Sequence, residues 1–393
     1  MLVSLKTLAW AIAVFSLLVF IVLFGQLPAF KDTIVGRAHV LLWQRLPAAA
    51  VSLDRRLTGG RLSTGMVSGA KHLVNDKNWA IVGFYLVLFV PALSTFFYRA
   101  WPLITGPLDT LMVPLVAFMP LVSLYLAVVT DPGYVTPSNV ERLTEIFRYD
   151  DIIFYSDQED CYTCLQRKPA RSKHCKVCKR CVAKMDHHCA WINNCVGYYN
   201  YRWFLLFVIN NLAVMVYGSW LLGSILYADY VDEFFPDGAA RPRWFLVDRR
   251  KWAKIIHAKP YSSSVTSLFM IAFMVAPLLI AFLAQHIVFL YQGVTTNESE
   301  KWNEVEYVVA NSAMGVYEYP EPAPASPELR QRRSTPRSSR RVYIHHYRDG
   351  DTNRPVPEGM VEVERVRSLE HITNIYDRGS FMANLREVIW PQH

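Results

Sequence analysis

Apolar residues in this chain gather into long runs instead of alternating with polar ones. Five stretches, 8–26, 79–98, 108–129, 204–227 and 265–291, approach the ~20 apolar residues that carry a helix across a bilayer. One such run is compatible with a buried core helix, but five of them predict five membrane-spanning helices. The first, LAWAIAVFSLLVFIVLF, is longer than the ~7–15-residue apolar core of a signal peptide, and only Lys6 precedes it, so it predicts a retained span. Pro91, Pro114, Pro120 and Pro277 fall inside spans, where neighbouring helices can satisfy the freed carbonyls.

The runs divide the chain into parts. Residues 1–130 hold spans one to three with a loop at 27–78, and 131–203 form a polar segment containing every cysteine. Residues 204–291 hold spans four and five, and 292–393 form a tail. The expected fold class is an all-α polytopic membrane protein of about five transmembrane helices, carrying one small cysteine-rich domain. Within the tail, 294–319 is polar and aromatic. Residues 320–358, opening PEPAPASPELRQRRSTPRSSRR, are rich in Pro, Ser and Arg, and this composition predicts disorder. Residues 359–393 regain apolar spacing through Ile372, Ile375, Phe381, Leu385, Val388 and Ile389, predicting one short amphipathic helix.

Charge adds an orientation. Loop 27–78 holds eight Lys and Arg and segment 130–203 holds eleven, against one each before span one (Lys6) and between spans two and three (Arg99). Basic residues favour the cytosol, so both segments and the tail are expected there. Loop 228–264, with seven basic residues, opposes this assignment and is outvoted. The net charge of +8 fits nucleic acid or an anionic membrane surface, and with five long apolar runs in a chain that is 52% hydrophobic the membrane is the better partner.

The chemistry concentrates in 161–195. Seven cysteines in a segment expected to be cytosolic, where thiols stay reduced, favour metal over disulfides. The spacing is Cys161-x2-Cys164, His174-Cys175-x2-Cys178-x2-Cys181, His187-His188-Cys189 and Cys195. Cys-x2-Cys knuckles present two thiolates to one ion, and structural zinc takes four Cys or His ligands. Seven cysteines and three histidines make ten donors; two tetrahedral zincs use eight, leaving two. If the surplus is one Cys and one His, it is a nucleophile and a base, with Asp186 beside them as orienting acid. The count does not say which cysteine is spare, nor whether His187 or His188 binds metal.

The run CYTCLQRKPARSKHCKVCKRCVAKMDHHCAWINNCVGYYNYRWF resembles the cysteine-rich domain of the Asp-His-His-Cys (DHHC) protein S-acyltransferases, or palmitoyltransferases. Asp131-Pro132-Gly133 and Thr295-Thr296-Asn297-Glu298 match that family's flanking boxes. NIYDRGSFMANLREVIWP is similar to the C-terminal element of its fungal branch, which acts on SNAREs and other proteins with cysteines beside membrane spans. The resemblance implies one zinc on Cys161, Cys164, His174 and Cys181 and another on Cys175, Cys178, His188 and Cys195. It implies Cys189 as acylated nucleophile, His187 as base and Asp186 as orienting acid. Ala190 departs from the proline of most members.

The implied reaction is ping-pong transfer of a long-chain acyl group from acyl-CoA such as palmitoyl-CoA, through acyl-Cys189, to a membrane-proximal cysteine of a protein substrate. Both zincs would be structural, no nucleic acid is implied, and the branch points to the endoplasmic reticulum membrane with the site facing the cytosol. A catalytically silent, zinc-stapled membrane adaptor shares every feature except the need for a free thiol and base. A metal transporter requires ionisable groups inside its spans, and only Asp109 and His286 are there.

Overall fold

In lipid, every backbone N–H and C=O must bond within its own segment, so unbroken apolar runs become helices. The computed structural model describes residues 14, 17, 21, 22, 25, 32–65, 68, 69, 76–150, 152, 160–235, 249–311, 314–318, 341–346, 356 and 360–392. Its helices are α1 Ile34–Val40, α2 Leu46–Thr58, α3 Ala80–Arg99, α4 Pro107–Val129, α5 Val140–Ile146, α6 Tyr201–Phe234, α7 Arg249–Ile255, α8 Ser262–Gln292, α9 Thr296–Ala310 and α10 Phe381–Ile389. Among the described residues, four helices are long and apolar enough to cross a membrane, at Ala80–Leu103, Pro107–Val129, Tyr201–Phe234 and Ser262–Gln292. They coincide with expected spans two to five, and the chain is a multi-pass membrane protein. Most of expected span one lies outside the described residues, as does all of 236–248 in the objecting loop.

The chain divides into two compact units. The first comprises Met1–Thr130, Cys189–Asn194 and Arg202–Gln285. Its helices are joined by polar side chains, which hydrogen-bond across helix interfaces where lipid offers no partner. Tyr85 on α3 donates to Asn211 Oδ1 on α6 at 3.0 Å. Asn210 on α6 donates to the Met119 carbonyl of α4 at 3.3 Å and to Ser123 Oγ at 3.1 Å. Pro107 suits the first position of α4, where the missing N–H costs nothing. Asp109 in that first turn accepts from Tyr217 at 2.6 Å, so this acid inside a span is paired. An apolar cavity of about 110 Å³ lies among these helices, lined in part by Phe89, Phe96, Ala117, Gly218, Leu222 and Ala272.

A short piece of polar chain belongs to this unit. The single turn Ala190–Ile192 packs against α3 and α4, with Ile192 fully buried. Asn194 then donates to the carbonyls of Thr130 at 3.0 Å and Val128 at 3.2 Å. Those carbonyls end α4 without intrahelical partners, so Asn194 caps the helix and ties the segment to it.

The second unit comprises Asp131–His188, Cys195–Tyr201 and His286–His393. Three two-stranded hairpins pair β1 Asp160–Cys161 with β2 Gln166–Arg167, β3 Lys173–Cys175 with β4 Arg180–Val182, and β5 His187–Cys189 with β6 Asn194–Val196. Strands of two or three residues bury little and cannot stand alone. The first two pairs lend Cys161 and Cys181 to a core that includes Leu143, Phe147, Ala183, Tyr198, Val305, Met314 and Tyr376, while Cys175, Val182, Met185 and Cys195 form a second, smaller cluster. The Asp131-Pro132-Gly133 box is a turn: Asp131 Oδ1 accepts from the amides of Gly133 at 2.7 Å and Tyr134 at 2.9 Å. Gly133 adopts φ +102°, a conformation that favours glycine. At Gly197 a Cβ would collide with the Pro132 carbonyl and the Val182 side chain, so only glycine fits there.

Two expectations for the tail change. Strands β7 Met314–Glu318, β8 Arg341–His345 and β9 Val361–Val366 form an antiparallel sheet in the order β8-β7-β9. Disorder over 320–358 therefore does not hold for 341–345, while most of that stretch lies outside the described residues. The reason is local: the sequence there is RVYIH, whose β-branched and aromatic residues suit a pleated surface. Ile344 is fully buried, and the averaged Pro/Ser/Arg composition hides this short run. Residues 359–393 likewise hold a strand, β9, besides the helix Phe381–Ile389. Ser380 caps that helix by accepting from the Ala383 amide at 3.3 Å, and Asn384 and Val388 on it are buried.

Candidate active site and metal centres

Each Cys-x2-Cys pair folds as the same knuckle. The Cys164 amide donates to Cys161 Sγ at 3.4 Å, and the Cys178 amide to Cys175 Sγ at 3.3 Å. The residue after each second cysteine, Leu165 at φ +51° or Lys179 at φ +55°, turns the chain through the left-handed region. Hairpin β3–β4 then sets His174 opposite Cys181. Neighbouring strand residues point to opposite faces, so adjacent His174 and Cys175 enter different groups.

Two groups result: Cys161, Cys164, His174 and Cys181, and Cys175, Cys178, His188 and Cys195, with the donor atoms of each within 4.8 Å of one another. These are the eight residues that the resemblance divides four and four. In the first, His174 Nδ1 lies 3.5, 3.3 and 3.9 Å from the sulfurs of Cys161, Cys164 and Cys181. In the second, His188 Nδ1 lies 3.7, 3.4 and 3.6 Å from those of Cys175, Cys178 and Cys195. Zinc in a tetrahedron, with Zn–S of about 2.3 Å and Zn–N of about 2.05 Å, separates sulfur from nitrogen by about 3.5 Å and sulfur from sulfur by about 3.8 Å. The observed S···S spacings, 3.8 Å for Cys164–Cys181 and 3.5 Å for Cys178–Cys195, also fit. Each group could hold one metal ion, and the donor chemistry is that of two closed zinc sites.

Cys189 alone among the seven cysteines joins neither group. Strand β5 explains the division of MDHHCAWINNC. Residues two apart share a strand face, so His187 and Cys189 face one way and His188 the other, toward its cysteines. Ala190 then opens the turn Ala190–Ile192.

Asp186 is 4% exposed and its carboxylate is fully engaged. Oδ2 accepts from His187 Nδ1 at 2.6 Å and from Thr296 Oγ1 at 2.7 Å, and Oδ1 accepts from the Thr296 amide at 2.8 Å. Burial pushes this carboxyl up, but the hydrogen bond and charge of His187, the charge of His286 and the Thr296 amide outweigh it and hold the carboxyl below its ordinary value. With Nδ1–H given to Asp186, His187 keeps its lone pair on Nε2, the tautomer a base requires. The His286 ring sits 6.2 Å from that of His187, and its Nδ1 lies 2.9 Å from the Tyr201 hydroxyl.

Thr296 is delivered by α9, whose start is a capping box: Thr295 Oγ1 accepts from the Glu298 amide, and Glu298 Oε2 from the Thr295 amide. Thr295 Oγ1 also donates to the Met185 carbonyl at 3.3 Å. Arg171, buried and at φ +61°, forks onto both Glu298 oxygens at 2.6 and 2.5 Å and donates to the Gly293 carbonyl at 3.0 Å. Its guanidinium also stacks on Tyr376, 4.6 Å from the ring centroid. Lys184 Nζ donates to Glu387 Oε1 of α10 at 2.6 Å. Sequence reasoning singled out the Thr295–Glu298 box and His286 but gave them no contact, it gave Arg171 and Lys184 no individual role, and it missed Glu387. Lys184 and Glu387 show in the sequence only as charges beside apolar residues, and Arg171, within RKPARSK, carries no such signal.

Comparison with known proteins agrees with these features. Residues 155–303 match the family model described as DHHC palmitoyltransferase. Over its length the chain is 33% identical to "Palmitoyltransferase swf1" of Emericella nidulans, covering 98% of this chain and 96% of that one. It is 31% identical to the Schizosaccharomyces pombe protein of the same name, over 97% and 95% of the two chains. Over 30% of its length it is 38% identical to mouse "Palmitoyltransferase ZDHHC4". A DHHC domain between apolar helices, and likeness to the fungal proteins along nearly the whole chain, show that this chain belongs to the DHHC palmitoyltransferase family.

Proposed function

We propose that this protein is a protein-cysteine S-palmitoyltransferase that works through an acyl-Cys189 intermediate. The observation that carries the reading is the Asp186–His187 pair, joined at 2.6 Å, on the strand that presents the one cysteine outside the metal groups. In the first step His187 Nε2 takes the Cys189 proton and the thiolate attacks the thioester carbon of acyl-CoA. The CoA thiolate leaves with that proton. In the second step His187 takes the proton of a substrate thiol, which attacks acyl-Cys189 and regenerates the free thiol. Asp186 holds the imidazole tautomer and stabilises the imidazolium formed in each step.

Two zinc ions on the eight-residue set would serve as structural staples, since a filled Cys3His tetrahedron leaves no position for water or substrate. The turn after Cys189 packs on α3 and α4, which supports acceptors whose cysteines lie at the membrane boundary. Transmembrane proteins with juxtamembrane cysteines, SNAREs among them, are the proposed substrates. The apolar cavity among α3, α4, α6 and α8 is the proposed seat of the acyl chain, and the exposed Lys and Arg between 167 and 180, not the buried and paired Arg171 and Lys184, are the proposed contacts for the CoA phosphates. The basic loops favour a cytosolic active site, and the family branch favours the endoplasmic reticulum membrane.

Purified protein incubated with palmitoyl-CoA should carry a hydroxylamine-sensitive palmitoyl group on Cys189, read by peptide mass spectrometry. Cys189→Ser should abolish it while retaining two zinc equivalents. Wild-type protein that binds two zincs and acquires no acyl group would favour the silent adaptor.

A further inference from the structure

We propose that Glu387, on the C-terminal helix α10, is a positioning residue for the Asp186–His187 pair and acts through Lys184. The inference rests on the acyl-transfer reading above.

Lys184 stands two residues before Asp186 at φ +44°, a left-handed conformation that a side chain adopts only when its surroundings impose it. Its neighbours are tied by their backbones: the Ala183 amide donates to the Gly133 carbonyl at 2.8 Å, Met185 to Arg171 at 3.0 Å and Asp186 to Val196 at 2.9 Å. At Lys184 the restraint is the side chain instead, 12% exposed, its ammonium 2.6 Å from Glu387. A buried ammonium needs a counter-charge or must turn toward water.

Glu387 is the carboxylate able to supply it. Glu298 gives both oxygens to Arg171. Arg378 also donates to Glu387, at 2.7 Å, but its side chain is 48% exposed and can reach water without that contact. Arg171 and Lys184 cannot, being 1% and 12% exposed. Without Glu387, two buried cations would share one acid already held by Arg171. Burial raises the Glu387 carboxyl, yet the charge and hydrogen bond of Lys184 bring it down to about 2. If Lys184 swings out, the left-handed turn is released and Asp186 tilts away from His187. A displacement near 1 Å at a reacting pair slows a reaction by about 10²-fold.

If α10 only stabilised the fold, loss of Glu387 would lower zinc content and loading together, and removing Lys184 as well would not help. The test uses full-length protein and measures palmitoyl-CoA loading of Cys189 as maximal rate and apparent KM, together with zinc content. Glu387→Gln should lower the maximal rate about 10- to 100-fold with KM and two zinc equivalents unchanged, as expected for misplacement and not lost binding. The double variant Lys184→Met/Glu387→Met removes both charges and should recover to within about fivefold of wild type. It also keeps the inference testable if Glu387→Gln does not fold. Wild-type loading by Glu387→Gln, zinc loss in it, or a double variant no faster than the single one would overturn the inference. Failure of wild-type protein to load would instead refute the acyltransferase reading.

Discussion

Cys161-x2-Cys164 and Cys175-x2-Cys178 fold alike, down to the amide-to-sulfur bond and the left-handed residue that closes each knuckle. Each adds a histidine through Nδ1 and a final cysteine, Cys181 or Cys195. The difference lies in what each set encloses. The first spans 161–181 and encloses no cysteine outside the two metal groups. The second spans 175–195, and its last two ligands, His188 and Cys195, bracket Cys189. Equal donor sets would therefore be put to unequal use: metal on the first would set a frame, and metal on the second would also hold the residues on both sides of Cys189.

The sharpest test of that contrast sets Cys195→Ala against Cys164→Ala. Structural zinc contributes about 10–16 kcal/mol to holding its segment, so each variant should lose one zinc equivalent by elemental analysis. Cys195→Ala should lower acyl loading by about 10³-fold and Cys164→Ala by about 10²-fold, the larger loss coming where the reacting segment is freed. Equal losses would erase the distinction.

The adjacent histidines divide it further. His187→Ala should slow loading by about 10²- to 10⁴-fold, the range for a lost general base, with both zincs retained. His188→Ala should release one zinc. A His187→Ala protein short of zinc would mean that the two roles are exchanged.

Thr296→Val probes the support of Asp186. It removes one of three side-chain or backbone donors to that carboxylate. A lost hydrogen bond to a charged group is worth about 1.5–3 kcal/mol, partly offset here by the retained amide. Loading should fall about tenfold with zinc content unchanged, and an unaltered rate would show that the amide and His187 suffice.

The smallest effect is expected at Ala190. This residue opens a single helical turn, a position whose backbone suits proline. Ala190→Pro should leave loading within about twofold and raise stability by about 0.4–1 kcal/mol by narrowing the unfolded chain. A large loss of activity would mean that the segment must flex during turnover.

The spans were legible because lipid leaves a backbone no choice but helix, and α3, α4, α6 and α8 lie where the apolar runs predict. The donor count reached two surplus groups in MDHHCAWINNC but stopped at which histidine was surplus. Strand alternation at β5, which depends on a three-residue element without its own sequence signal, separates His187 from His188. The braces behind Asp186 were not legible for a different reason. Thr296, Glu298 and Glu387 reach partners 110, 127 and 203 residues away in sequence, and no local period encodes such contacts. Strand β8 was missed because five favourable residues follow a long unfavourable stretch.

Asn194 ties the piece of chain that begins at Cys189 to the half-buried carbonyls ending α4. A membrane helix adjusts to a thinner bilayer by tilting and to a thicker one by standing upright. On the proposed role of Cys189, its thiol should keep its height relative to the helix end and not to the lipid headgroups. Acyl loading should then change with bilayer thickness, and rates measured across phosphatidylcholines of increasing acyl length would read this directly, a flat profile counting against it.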